Sequence, residues 1–377
     1  MSKTYLPTSE QFDVTLSSIA KIAGVLGAKV DTSTWRGIQN AVKAGLAPQL
    51  FPIGTQLMVS HNVYGNMLYD VVAHDYFKSV DNENAHTMTL MCHDLLPSMS
   101  FNNTDAFYYA ESELPAGTYN FTIANEFSSW SRGTYQFTLT QALPIGGQLA
   151  VSGYANAALT TLMVRTYANQ TATTVTEESV ITLGNDGTNL GTFGVELNHA
   201  HRVSYGSDNY KESEVRQFLN SSAEAGSVWT PQTKFDRPPS WVGSNAGFLN
   251  GLDNEFLRTV GKVKVLCSAN NAYESPDSTV TKGYKYTVED KFYIASQKEI
   301  FGTSTDVMED NSVLFPFYKG AINSDRIKYK DGMADYWWTR SAHSWGANVV
   351  SRVNTNGSLT DSYVFNKVAI APVCTIV

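Results

Sequence analysis

Tyr336-Trp337-Trp338-Thr339-Arg340-Ser341, the adjoining Ala342-His343-Ser344-Trp345-Gly346-Ala347-Asn348 and the closing Val368-Ala369-Ile370-Ala371-Pro372-Val373-Cys374 decide the fold of this chain. Adjacent Trp side chains point to opposite faces of an extended strand, so one ring packs inward and the other lies against a second layer or a rim. Such a strand sits deep in a domain. Residues 342–348 lack a helical period and mix polar with aromatic side chains, which predicts a surface loop. Val349, Ser351 and Val353 then alternate with Val350, Arg352 and Asn354, the period of a half-buried strand. Asn354-Thr355-Asn356-Gly357 supplies residues that tolerate positive φ, so a hairpin is expected, followed by one closing strand over 368–373.

The 377 residues are 42% hydrophobic, 12% aromatic and only 16% charged, enough to fill one large or two ordinary domains, with a texture closer to strand-rich surface proteins than to helical enzymes. A formal charge of −8 lacks the basic footprint of nucleic-acid or anionic-membrane binders, so no nucleic-acid partner is expected. Cys92, Cys267 and Cys374 are odd in number and widely spaced, which fits buried small hydrophobes better than a disulfide framework or a zinc ribbon. Met1–Pro7 carries no apolar signal core, and no apolar run nears the ~20 residues of a membrane span. The expectation is synthesis in the cytoplasm without membrane insertion.

Along the chain, Thr8-Ser9-Glu10-Gln11 fits a capping box ahead of Phe12, Leu16, Ile19, Ala23 and Leu26 at helical spacing. A second helix is expected from Thr34, with Trp35, Ile38 and Val42 on one face, ending at Gly45. Both stripes need a partner, either the body of the protein or a neighbouring subunit. Three strands follow, within 51–60, 68–74 and 86–92. Gly117-Thr118-Tyr119-Asn120-Phe121-Thr122-Ile123 and Gly133-Thr134-Tyr135-Gln136-Phe137-Thr138-Leu139 are near-copies with an apolar face each, a paired-strand pattern. Ser213 is placed to cap a helix with Val215, Phe218 and Leu219 inward and Gly226 near its end, and Asp253–Val260 reads as a shorter helix.

Three stretches share an order with a known family: the helix Ser213-Glu214-Val215-Arg216-Gln217-Phe218-Leu219-Asn220, the strand-like Asp290-Lys291-Phe292-Tyr293-Ile294-Ala295-Ser296-Gln297-Lys298-Glu299, and the Trp337-Trp338-Thr339-Arg340-Ser341 hairpin region. Together they resemble a bacterial and phage branch of the C-type lectin fold. That branch is related to formylglycine-generating-enzyme-like domains and to the variable proteins of diversity-generating retroelements. Val228-Trp229-Thr230-Pro231-Gln232-Thr233-Lys234-Phe235-Asp236-Arg237-Pro238-Pro239-Ser240-Trp241 and Gly117–Thr122 are similar to segments of gut-phage virion proteins. The resemblance implies an α+β protein in three parts. Residues 1–48 form an N-terminal helical segment, 49–104 and 196–377 a discontinuous C-type-lectin-fold ligand-binding domain, and 105–195 an inserted β-sandwich.

It further implies a non-enzymatic, ligand-binding protein of the virion, placed at the phage tail, recognising a bacterial surface protein or glycan beside other virion proteins. A homotrimer is the implied assembly. A purely structural virion protein and a glycan-cleaving virion enzyme are the alternatives. The implied display surface is His343, Ser344, Trp345, Asn348, Arg352, Asp361, Ser362, Tyr363 and Asn366, expected in loop or outward-strand positions. Aromatic side chains there give contact area at low entropy cost, and Ser and Asn give adaptable hydrogen bonds. No catalytic residue, metal site or cofactor is expected. His199 and His201 have no Cys near in sequence, Cys92-His93-Asp94 cannot form a triad among strand neighbours, and the acidic residues near 306 and 325 miss the EF-hand register.

Overall fold

The computed structural model describes residues 31–102, 106–110, 112–123, 133–153, 161–169, 174–182, 195–200, 208–226, 245–272, 281–308, 310–346 and 348–377. The helix expected over 12–26, the segment 228–241 and His201 lie outside them. Helix α1 (Trp35–Lys43) begins where the Thr34 hydroxyl accepts from the Gly37 N–H at 3.1 Å, and it ends before Gly45 with φ +70°. Its stripe packs on the chain's own body: the Trp35 and Phe256 rings lie 4.5 Å apart, and Gln39 donates to the Val377 carbonyl at 2.8 Å. A single further turn, α2 (Ala47–Leu50), leads into the first strands.

Those strands are β1 (Gln56–His61), β2 (Gly65–His74) and β3 (Met88–Cys92), after which β4 (Leu96–Ser100) crosses to a different sheet. Among the described residues of 106–200 seven strands follow: β5 (Ala106–Tyr109), β6 (Gly117–Ile123), β7 (Gly133–Leu139), β8 (Gln148–Gly153), β9 (Thr161–Tyr167), β10 (Glu177–Thr182) and β11 (Val195–Ala200). They form one sheet in the order β10-β9-β8-β5 and another in the order β11-β6-β7. The near-copies β6 and β7 are direct antiparallel partners, Gly117 opposite Leu139 and Ile123 opposite Gly133, as their matching apolar faces require.

From 208 onward come α3 (Glu214–Leu219), α4 (Asn254–Thr259), the long hairpin β12 (Val263–Ala272) and β13 (Thr281–Asp290), then β14 (Phe292–Ile294) and α5 (Gln297–Phe301). A small hairpin, β15 (Lys328–Lys330) and β16 (Met333–Asp335), precedes β17 (Trp337–Ala342), β18 (Val349–Val353), β19 (Leu359–Tyr363), β20 (Lys367–Ile370) and β21 (Pro372–Ile376). Two five-stranded sheets, β1-β2-β3-β21-β14 and β19-β18-β17-β20-β4, carry the main core. That buried cluster draws on residues 38–101 and 210–376 and on none of the described residues between.

Four expectations change in detail. The closing strand is two strands, because the chain leaves one sheet at Ile370 and enters the other at Pro372, opposite Ile294. β18 is buried on both faces except at Arg352, since layers cover each side of its sheet. α3 stops at Leu219, where the Asn220 side chain turns to bond the backbone of Lys291 and Phe292 rather than continuing toward Gly226. Asp290–Glu299 is strand only as far as Ile294; Ser296 and Glu299 then cap α5 reciprocally, with Ser296 Oγ accepting from the Glu299 N–H at 3.1 Å.

Trp337 and Trp338 are both fully buried, on opposite faces of β17. Trp337 Nε1 donates to the Arg326 carbonyl at 3.2 Å and Trp338 Nε1 to the Met99 carbonyl at 3.0 Å, so neither indole nitrogen is left unsatisfied. Trp338→Ala should cost about 3–5 kcal/mol in chemical denaturation, the usual range for deleting a buried Trp. A loss under about 1 kcal/mol would show that the site repacks and that this ring does not anchor the core.

Candidate binding surface

The C-terminal hairpin region is built by alternation. Tyr363 stands opposite Val349, Asp361 opposite Ser351 and Leu359 opposite Val353, so these pairs share one face of the sheet; Ser362 with Val350 and Thr360 with Arg352 share the other. The β18–β19 turn needs Gly357: its φ is +76°, and a Cβ there would fall 1.7 Å from the Asn323 carbonyl oxygen. Register is thereby fixed at both ends of the hairpin, by Asn354 N–H to Ser358 O at 2.8 Å and by Val364 N–H to Asn348 O at 3.0 Å.

In this region four rings line up. The His343 ring lies 5.4 Å from Trp345, Trp345 lies 6.3 Å from Tyr363 at an 85° edge-to-face angle, and Tyr363 stacks on Phe365 at 5.5 Å. Trp345 keeps 57% of its surface in solvent and Tyr363 38%. The segment bearing Trp345 is tied down by backbone bonds from Ser344 N–H to Asp306 O at 2.9 Å and from His343 N–H to Val349 O at 2.8 Å. The exposed indole is therefore presented from a fixed backbone.

The expected site residues do not form one outward set. Trp345, Tyr363 and Asn366 are exposed, Ser344 and Asp361 half-buried, and His343, Asn348 and Ser362 buried. The burial of these last three corrects their expected outward placement. Ser362 Oγ accepts from Asn366 Nδ2 at 3.0 Å and so holds the β19–β20 turn, and the Asn348 side-chain amide makes no hydrogen bond. Arg352 points to the opposite face from Tyr363, with its guanidinium 4.1 Å from the Tyr336 ring centre, and belongs with the scaffold. Phe365 and Tyr336 were missed. The Tyr363-Val364-Phe365 alternation would have placed Phe365 beside Tyr363.

Other chemistry is sparse. The three cysteines are free and buried, and burial pushes the Cys92 thiol up to about 12 and those of Cys267 and Cys374 upward too, away from reactive thiolate. Among the described residues no group of three His, Cys, Asp or Glu is placed to hold a metal ion. No helix among them is long and apolar enough to cross a membrane. Two adjoining grooves of about 560 and 640 Å³ meet at Val63, Tyr64 and Pro97, one reaching Glu214 and Lys367, the other Asp94 and Lys330.

Residues 165–377 match the family model described as a domain of unknown function, DUF6273. That span holds Arg216, Asp290, Glu299, Arg340 and the whole C-terminal hairpin. No curated protein and no solved structure matches the chain.

Burial holds the His343 imidazole below the usual histidine range, with Asp361 and Asp306 opposing the shift. On acidification the unfolded chain takes up this proton before the folded one. The stability contributed by His343 is therefore present above the ordinary value of 6.5 and is lost as the pH falls through the depressed folded value. His343→Gln should shrink the fall in Tm between about pH 7 and about pH 5; an unchanged fall would assign the acid sensitivity to other groups.

Proposed function

The chain belongs to the DUF6273 family, and from its geometry we propose that it is a non-enzymatic binding protein whose C-terminal aromatic ladder contacts the ligand. The observation that carries this is the edge-to-face pair of exposed rings, Trp345 and Tyr363, on a tied-down backbone beside two fully buried Trp. Large rigid aromatics of this kind lose little entropy on binding and dominate contact energies. The scaffold reading is a C-type-lectin-type domain interrupted by a β-sandwich insert. It is supported by the way the three family-like stretches meet in space: Arg216 of the first pairs with Asp290 of the second, and Glu299 of the second with Arg340 of the third.

The resemblance supplies the setting: a phage virion protein at the tail, contacting a bacterial surface protein or glycan. The trimer implied with it gains nothing from α1, whose stripe is already covered by the chain's own body.

Trp345→Ala combined with Tyr363→Ala tests the reading, with Arg352 left in place because it lies on the other face. Surface truncations of this kind should change stability by only about 0.5 kcal/mol each. Attachment to host bacteria should weaken by about 2 kcal/mol or more if either ring is a hot spot. A stable double variant that adsorbs like the parent would replace this reading with a purely structural virion role.

A further inference from the structure

A sheet edge exposes unpaired backbone N–H and C=O groups, and proteins cover, bulge or charge such edges to prevent strand addition. Three of the four outer strands of the two main sheets are managed in this way. The outer side of β1 is bonded by Asn62 N–H to Gly251 O at 2.7 Å and Asp253 N–H to Ser60 O at 3.0 Å. β14 is capped by side chains: Asn220 bonds the Phe292 backbone, and Arg340 donates to Ile294 O at 2.8 Å. β4 carries Pro97, and its pairing with β20 is interrupted by an irregularity between Val368 and Ile370.

The fourth, β19, is neither covered nor bulged, and Asp361 is its one charged side chain. Its register with β18 runs unbroken from Leu359 to Tyr363, and the strand holds no Pro, Lys or bulge. The bonded pairs Val364–Asn348 and Asn354–Ser358 set the antiparallel pattern, which places Leu359 and Asp361 at non-bonded positions with N–H and C=O directed away from β18. Among the described residues no other segment bonds to these groups. Tyr363 and Trp345, the exposed rings, flank the same edge.

We propose that β19 is the docking edge for an extended, basic segment of a partner protein, which adds to the sheet as a further strand. This rests on the binding reading above and selects protein over glycan as the ligand. The backbone supplies hydrogen bonds and alternate side chains supply selectivity, as in other strand-addition complexes. Charge chooses the occupant. A second copy pairing symmetrically about Asp361 would set two Asp361 carboxylates opposite each other on chains that each carry a formal charge of −8, and directly opposed like charges destabilise a strand pair. A Lys or Arg opposite Asp361, with aromatic or β-branched residues beside Tyr363, is the complementary pattern.

The probe is a displayed library of random twelve-residue peptides selected on the full chain. Enriched peptides should alternate aromatic or β-branched residues around a Lys or Arg. A synthetic copy of one should slow hydrogen exchange across residues 358–364. Asp361→Pro, which removes an N–H facing away from β18, should weaken that peptide at least 10-fold at the parental Tm, and Asp361→Lys should do the same if the Pro variant does not fold.

Peptides that bind Asp361→Lys as tightly as the parent, or that leave exchange over 358–364 unchanged, would overturn the proposal. So would a dimer in light scattering that already protects those amides without peptide. If Trp345→Ala with Tyr363→Ala abolishes cell attachment while Asp361→Lys preserves it, strand addition fails and the aromatic reading survives. Loss with Asp361→Lys alone sustains strand addition and removes the aromatic contact.

Discussion

The Arg340 guanidinium is the joint of the molecule. It is fully buried and bonds both carboxylate oxygens of an equally buried Glu299, at 2.7 and 2.6 Å. Its remaining hydrogen bonds are to backbone, Nε to the Leu266 carbonyl of β12 and Nη1 to the Ile294 carbonyl of β14, both at 2.8 Å, while the Arg340 backbone N–H donates to Ala295 O. Burial pushes the Glu299 carboxyl up and Arg340 opposes that shift, so each group's charged state depends on the other staying in place. An unpaired buried charge costs several kcal/mol, which obliges α5, β12, β14 and β17 to keep one arrangement. Arg216 and Asp290 make a second, nearly buried pair, and Asn220 ties α3 to the start of β14. Stretches far apart in sequence are thus joined by two buried polar clusters inside an apolar core.

Local bonds were legible in the sequence and these long-range pairs were not. Ser213 caps a helix as expected, and Thr34 and Asp253 cap the helices expected to start there, because capping is a local bond between a side chain and a nearby N–H. The buried Trp pair and the Gly357 turn were legible for the same local reason. The pairings of Arg340 with Glu299 and Arg216 with Asp290 were not, since period and propensity carry no information about partners 41 and 74 residues apart. The split at Pro372 was hidden too: an apolar run looks the same whether it stays in one sheet or passes between two. Of the surface residues, Trp345 and Tyr363 are as exposed as the sequence suggested, whereas Asn348 and Ser362 are polar types drawn inward by the geometry of a crowded hairpin.

Rigidity and exposure are therefore divided along the same hairpin. β17 is wholly buried and fixed through Arg340, and β18 follows it by register; β19 lies at the rim, with Tyr363 exposed. A surface held in this way presents its side chains without the ordering cost that a mobile loop would incur on binding.

The most direct test of this account is a stability comparison of Arg340→Met with the double variant Arg340→Met, Glu299→Leu. The single change should cost about 3–5 kcal/mol, as for other buried pairs broken on one side. If Arg340 is a joint and not merely one half of an ion pair, the double variant should stay below the parent, because the Leu266 and Ile294 carbonyls remain without their donors at about 1–3 kcal/mol each. A double variant as stable as the parent would contradict the account, since packing alone would then hold these elements together.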